Sequence, residues 1–195
     1  MKRLRFVVSA LAFFVAASAA ADSPFTLNRL NVYAFGGKSM TGRIGQADIE
    51  AVNFELGHAM SHRTEYGVVI APMNIRQAKS GYEEQFGDGY HNVRAVSTSL
   101  FARYHFGGSS SRVRPFAELS SGPVWSEKRV PAGTSRFNFI SQGGVGVTIR
   151  PQERLGFILG WRFGHISNGG IEPDKNPGYN TNALVFGVQF KPMPR

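Results

Sequence analysis

Along most of the chain, apolar and polar residues change places at every second position. In one run Val96, Thr98, Leu100, Ala102, Tyr104 and Phe106 alternate with Ser97, Ser99, Arg103 and His105. In another, Phe137, Phe139, Gly143, Val145, Val147 and Ile149 alternate with Asn138, Gln142, Thr148 and Arg150. Leu155, Phe157, Leu159, Trp161 and Phe163 form a third apolar series, and Leu184, Phe186, Val188 and Phe190 a fourth. A period of two is the mark of strands whose two faces meet different solvents. It predicts eight strands, at 29–36, 50–60, 64–72, 93–106, 113–123, 136–150, 154–165 and 181–191. The connections alternate in length: 37–49, 73–92, 124–135 and 166–180 are long, whereas 61–63, 107–112 and 151–153 are short. Long loops at one end and tight turns at the other, on an even number of strands, are what a bacterial outer-membrane barrel with both termini in the periplasm requires.

A soluble lipocalin-like barrel or sandwich also has short alternating strands, but its outer face is rich in Lys and Glu. Here the less apolar face carries mainly Gly, Ser, Asn, Gln, Thr and a few Arg, which suits a narrow interior filled with small, hydrogen-bonded side chains. The expected fold is therefore all-β, an eight-stranded antiparallel transmembrane β-barrel. Eight strands leave no open channel, which argues against a pore. Glu118 shares inward parity with Phe116 and Ser120, and Arg103, Arg114 and Arg162 are the candidate partners for its charge.

The N-terminus adds a compartment. Lys2, Arg3 and Arg5 precede an apolar stretch from Phe6 to Ala17 and small residues up to Ala21, the pattern of a secretory signal peptide over residues 1–21 with a barrel domain over 22–195. Its apolar core is too short to cross a bilayer as a helix, and no later segment reaches the length a transmembrane helix needs. With no cysteine, the exported chain has no disulfide to lean on. Losing the three basic residues with the signal lowers the formal charge from +9 to +6. That excess suits an anionic partner, and export argues against nucleic acid.

The candidate chemistry lies in residues 161–182. By parity His165 and Ser167 continue the outward series Leu155 to Phe163, and Asn180 and Asn182 continue the outward series of the last strand. A polar pair on a lipid-facing wall is costly. Residues i and i+2 of a strand share a face about 6.6 Å apart at the backbone, which lets an imidazole reach a hydroxyl. Serine needs such a base, and the imidazole needs a third group to fix its tautomer. Asn168, Gly169, Gly170 and Asn176 offer side-chain or backbone N–H donors for an ester oxyanion. The bland alternative is an ordinary polar rim, in which Gly169, Gly170 and Asn176-Pro177-Gly178 mark only a loop and a turn.

His165-Ile166-Ser167-Asn168, followed at loop distance by Asn176-Pro177-Gly178, resembles the outer-membrane lipid A 3-O-deacylases. The likeness is sharp over some twenty residues and looser elsewhere. It implies an eight-stranded outer-membrane barrel that removes an ester-linked acyl chain from lipid A with an outward-facing Ser-His-Glu triad. Ser167 would be the nucleophile, His165 the base, and Asn168, Gly170 and Asn176 the oxyanion surroundings. Where the family pattern has its acid, this chain has Asn180. An amide carbonyl can accept from the imidazole but cannot stabilise imidazolium by charge, and the equivalent change in a serine protease costs roughly 10⁴-fold in turnover. Glu172, with Asp174 in the same loop, is the alternative acid; solvated loop charge is its plain explanation.

The partner implied is lipopolysaccharide in the outer membrane, with the site at the outer leaflet; a homodimer stays open. Lys38, Arg43, Arg76, Lys79, Lys128 and Arg129 on the predicted outer loops suit lipid A phosphates, or equally the solubility of exposed loops. No cluster has metal-ligand spacing and no Gly-rich loop joins a strand to a helix, so no cofactor is expected. A second function class remains beside the esterase: a barrel that binds lipopolysaccharide or stabilises the membrane without turning it over.

Overall fold

A computed structural model describes residues 28–39, 47–78, 90–132, 134–150, 152, 154–171 and 178–190. Eight strands follow in chain order: β1 Arg29–Ser39, β2 Ala47–Ala59, β3 Thr64–Ala78, β4 Tyr90–His105, β5 Val113–Ser126, β6 Phe137–Ile149, β7 Leu155–Ser167 and β8 Tyr179–Phe190. Each pairs with the next, and β8 returns to β1 with Leu30 opposite Phe190, so the sheet closes into a barrel without edges. All neighbours are antiparallel. The alternation has the predicted sense through the middle of the wall: Leu100, Leu119 and Leu184 each leave 70% of their surface exposed, while Asn31, Glu55, Arg103 and Thr148 are buried in the lumen.

The strands run further than the alternation predicts at the end that carries the long loops. β1 continues to Ser39, β3 to Ala78, β5 to Ser126 and β7 to Ser167, and β2, β4 and β8 start earlier, at Ala47, Tyr90 and Tyr179. Lys38 and Arg76, expected in loops, therefore lie on exposed strand faces, and Arg76 sits 4.9 Å from the Tyr90 ring. The cause is an inversion of polarity along the strands. Near this end Ile49, Ile75, Val93, Val124 and Ile166 turn inward and are buried, while Lys38, Glu50, Arg76 and Arg94 face out. Above the hydrocarbon band the outer wall meets water and headgroups, so the apolar residues move to the lumen and the apolar-out pattern ends before the strand does. The expected polar lumen is thus capped by an apolar plug.

Below that plug a charge cluster fills the barrel. Arg103 lies between Glu55 at 2.9 Å and Glu118 at 2.6 Å. Arg162 donates to the other oxygen of Glu118 and lies 4.6 Å from the Tyr33 ring, whose hydroxyl donates to Glu55 at 3.0 Å. Nearer the short turns, Glu65 takes His105 Nε2 at 3.2 Å. Of the three arginines offered to Glu118 by parity, Arg103 and Arg162 hold it, whereas Arg114 donates to the His62 carbonyl.

Candidate active site on the outer wall

His165 and Ser167 occupy the last turn of the pleat in β7, and their side chains stand on the outer face: His165 is exposed and Ser167 half-buried, while Ile166 between them is fully buried in the plug. Buried apolar Ile166 and Ile158 on the inner face fix which way the strand is turned, because a one-residue slip would expel both. Across β8, His165 faces Asn180 as a direct Cα partner. Across β6, His165 faces Ser141 and Ser167 faces Phe139.

His165 Nδ1 lies 2.6 Å from Asn180 Oδ1. An amide oxygen can only accept, so Nδ1 is the donor, and in the neutral ring Nε2 keeps its lone pair. The other edge of the ring is held by Gly178. A Cβ built on Gly178 would lie 2.5 Å from His165 Cε1 and 3.1 Å from Nε2. Only a residue without a side chain leaves the imidazole that room. Gly178 stands one step beyond the last paired residues of β7 and β8, Ile166 and Tyr179, which puts it at the level of Ser167. The Cε1–Nε2 edge of the ring therefore lies on the Gly178 side, at the level of Ser167.

After Ser167 the chain turns sharply. Gly169 and Gly170 take φ values of +66° and +81°, and Ile171 N donates to Asn168 O at 3.3 Å. Two consecutive left-handed residues make a mirror-image turn that glycine enters without steric cost. Asn168 is buried, and its Oδ1 accepts the Gly170 N–H at 2.9 Å, which fixes the plane of the amide and engages the very N–H that sequence reasoning assigned to the oxyanion. Glu172 and Asn176, with Asp174, lie outside the described residues.

Aromatic residues frame this level. Phe139, opposite Ser167, packs on Phe137 at 5.3 Å, and Phe137 lies 6.4 Å from Trp125. At the other end Tyr104 and Phe106 form a second outward pair, with centroids 5.2 Å apart. Two depressions flank the site. One, of about 620 Å³, reaches from His165 across β6 and β5 toward Leu100 of β4. The other, of about 510 Å³, lies on the β8–β1–β2 side, where Lys38 faces Asn182 and Asp48.

The family model for lipid A 3-O-deacylase (PagL) matches residues 59–189, from the last residue of β2 to the last but one of β8. The chain belongs to the PagL family. The match takes in His165, Ser167, Asn168 and Asn180. Sequence comparison with curated proteins finds no match. Among solved structures, the outer-membrane enzyme PagL superposes with a TM-score of 0.55 at 18% identity, covering 84% of this chain and 99% of that one. Neisserial surface protein A gives 0.57 at 16% identity, covering 84% and 96%, and OprG from Pseudomonas aeruginosa gives 0.53 at 14%, covering 86% and 96%. At these identities the likeness concerns the fold: an eight-stranded outer-membrane barrel, shared by proteins of different names. Membership of the PagL family is what attaches lipid A deacylation to this member of the fold.

Within that family setting Gly178, which belongs to the motif that carries the resemblance and by itself reads as the end of a turn, matters to the site. Gly178 was the end of Asn-Pro-Gly; in the structure its missing side chain is the seat of the imidazole. The sequence held the glycine but no sign of what leans on it.

Proposed function

We propose that this chain hydrolyses an ester-linked acyl chain of lipid A, the 3-O-linked one, at the outer leaflet, with Ser167 as nucleophile, His165 as base and Asn180 as the group that orients the base. The observation that carries this reading is the 2.6 Å contact from His165 Nδ1 to Asn180 Oδ1 on the exposed wall. It supports the one tautomer in which Nε2 can accept a proton. In the serine-protease comparison, most of the cost of replacing the carboxylate by an amide comes from the wrong tautomer. Here the amide oxygen faces the ring, so what is lost is the charge beside the imidazolium.

In the reaction, the Ser167 hydroxyl gives its proton to His165 Nε2 as Oγ adds to the ester carbonyl. The bond to the sugar oxygen then breaks, and that oxygen takes the proton from the imidazolium. Water, deprotonated by the same nitrogen, releases the fatty acid from Ser167 and restores the hydroxyl. Donors for the oxyanion come from the other N–H groups of the Asn168-Gly169-Gly170 turn, since that of Gly170 is taken by Asn168 Oδ1. The depth of the site fits the substrate: Ser167 is level with Phe139 in the aromatic band, the boundary between acyl chains and headgroups where an ester of lipid A sits. The depression on the near flank, lined by Leu100, Leu119 and Phe163, suits an acyl chain.

Lipid A extracted from outer membranes carrying the protein is expected to lose the mass of one acyl chain, and Ser167→Ala is expected to restore the full mass. Unchanged lipid A with the native protein, or continued loss with Ser167→Ala, would refute the assignment. Asn180 itself favours a second reading, a barrel that binds lipopolysaccharide without cleaving it. On that reading Asn180→Asp adds no activity, whereas the hydrolase gains.

A further inference from the structure

Of the arginines that line the lumen, Arg114 has no share in Glu118 and gives one N–H to the His62 carbonyl. It stands at the short-turn end, where neighbouring strands bring two further guanidiniums to its level. Thr148 is its direct Cα partner on β6, and Arg150 continues the parity of Thr148 two residues on. A Cβ built on Gly156 of β7 would lie 3.3 Å from Thr148 Cγ2 and 3.4 Å from Arg150 Cγ, so Arg150 bends inward over the gap that this glycine leaves. Gly156 faces Gln189 of β8, whose Oε1 lies 3.5 Å from Arg29 Nη1 of β1. Arg114 and Arg150 lie within electrostatic reach of each other, and both within reach of Arg29.

Three guanidiniums at one level need counter-charge, and the level supplies little of it. Its carboxylate, Glu65, is 3.6 Å from Arg29 and is shared with His105 at 3.2 Å and Arg103 at 3.8 Å. Arg103 and Arg162 are balanced by Glu55 and Glu118, so Arg29, Arg114 and Arg150 keep two positive charges in surplus over Glu65. Among the described residues nothing accepts from Arg114 Nε or from Arg150 Nε and Nη2, and the Thr148 hydroxyl and Gln189 Nε2 are unpaired at the same level. Arg114, Thr148 and Gln189 are each 1% exposed or less. Buried cations with unspent N–H groups are costly unless an anion meets them. The Nε–Nη2 edge of a guanidinium is a fork that takes two oxygens of one oxyanion. A phosphate matches the rest, because its charge of about −1.5 to −2 at neutral pH answers the surplus and its other oxygens can accept from Arg114, Gln189 and Thr148. A carboxylate brings only one charge. Arg150, half-buried at the open end, is the side chain that such a ligand passes on entry.

We infer that the short-turn end of the lumen is a phosphate site, held by Arg150 and Arg114 with Arg29, Thr148 and Gln189 around it. The bound group is a phosphate, as the free ion or on the headgroup of an inner-leaflet phospholipid. It joins β1, β5, β6 and β8 from inside. Because it lies at the opposite end of the barrel from His165 and Ser167, it steadies the fold and takes no part in ester hydrolysis.

The test uses the folded full-length barrel in neutral maltoside micelles prepared without phosphate. Inorganic phosphate is titrated in and followed by phosphorus NMR and by urea unfolding, with sodium chloride at matched ionic strength as the reference. One phosphate per barrel is expected, and at about ten times its dissociation constant the folding equilibrium constant should rise about elevenfold over the chloride reference. In Arg150→Gln, which changes a half-buried residue just past the end of β6, that rise should vanish. An equal rise in native protein and variant is the general salting action of the anion, and overturns the inference. In a second arm, phosphatidylglycerol is added to the same micelles in place of inorganic phosphate. Stabilisation of the native barrel but not of Arg150→Gln by the lipid alone assigns the site to a headgroup, and by inorganic phosphate alone to the free ion; either result supports the site. If neither probe binds the native barrel one to one, the inference is overturned. Should the variant fail to fold, the phosphorus NMR stoichiometry of the native barrel decides by itself.

Discussion

The lumen and the outer wall of this barrel both place polar groups in a medium poor in water, and they solve the problem in opposite ways. Inside, Glu55 and Glu118 are locked to Arg103 and Arg162 by short charged contacts, and every member of that group is buried. Outside, one row of successive cross-strand partners holds two hydrogen-bonded pairs, Ser121 with Ser141 and His165 with Asn180, of groups that need carry no charge. Ionised groups in a tight interior must find partners or unfold it, so charge there serves architecture. On a wall that lipid and headgroups share, neutral polar groups are cheaper to expose and can exchange their partners for those of a ligand. Asn180 belongs to this second solution: it orients the imidazole without placing a carboxylate against the bilayer.

This contrast can be broken at several points, the strongest inside the barrel. Arg103→Met should lower stability toward guanidinium unfolding in micelles by about 3–5 kcal/mol, because it leaves Arg162 as the one guanidinium facing both Glu55 and Glu118. The turnover of the barrels that remain folded should not change. A stable Arg103→Met barrel would show that the lumen does not depend on pairing. On the wall the effects should reverse, appearing in rate and not in stability. Asn180→Asp keeps the side-chain length and adds charge beside the imidazolium, for an expected gain of about tenfold to hundredfold in kcat, less than the 10⁴-fold of a case where the tautomer also changes. Asn180→Leu should lower kcat by a similar factor; if both substitutions leave the rate alone, Asn180 does not orient the base. Gly178→Ala pushes a methyl group against the imidazole edge and is expected to cost about tenfold in kcat, since a shift of 1 Å in a catalytic group is costly. A displaced His165 ring resonance in NMR spectra would accompany it, and an unmoved resonance would speak against the contact. The smallest effect belongs to Asn168→Ala, which removes the acceptor of the Gly170 N–H and should speed hydrogen exchange at that amide by about fivefold.

Strand number, order of long and short connections, and the outward facing of His165 and Ser167 follow from parity, which survives in the sequence because each strand has one lipid face and one lumen face. Parity failed at the strand ends for the same reason. Where β1, β3 and β5 leave the hydrocarbon band, Ile75 and Val124 turn inward and Lys38 and Arg76 outward, so apolar-out periodicity reads as loop where backbone pairing continues. Among the three arginines that shared inward parity with Glu118, only geometry chose Arg103 and Arg162, because parity names a face and says nothing of height or reach. The same limit hid the row from Ser121 to Asn180: its members lie on four strands and meet only through register.

What the amino-acid order determined by itself was a barrel with its apolar side out and a histidine, a serine and an asparagine on that side, since alternation is a local property of each strand. Which nitrogen of His165 bears the proton, what space Gly178 leaves for the ring, and which hydroxyls stand beside it were decided only when the strands closed and set their register, because those contacts join residues that the chain holds far apart.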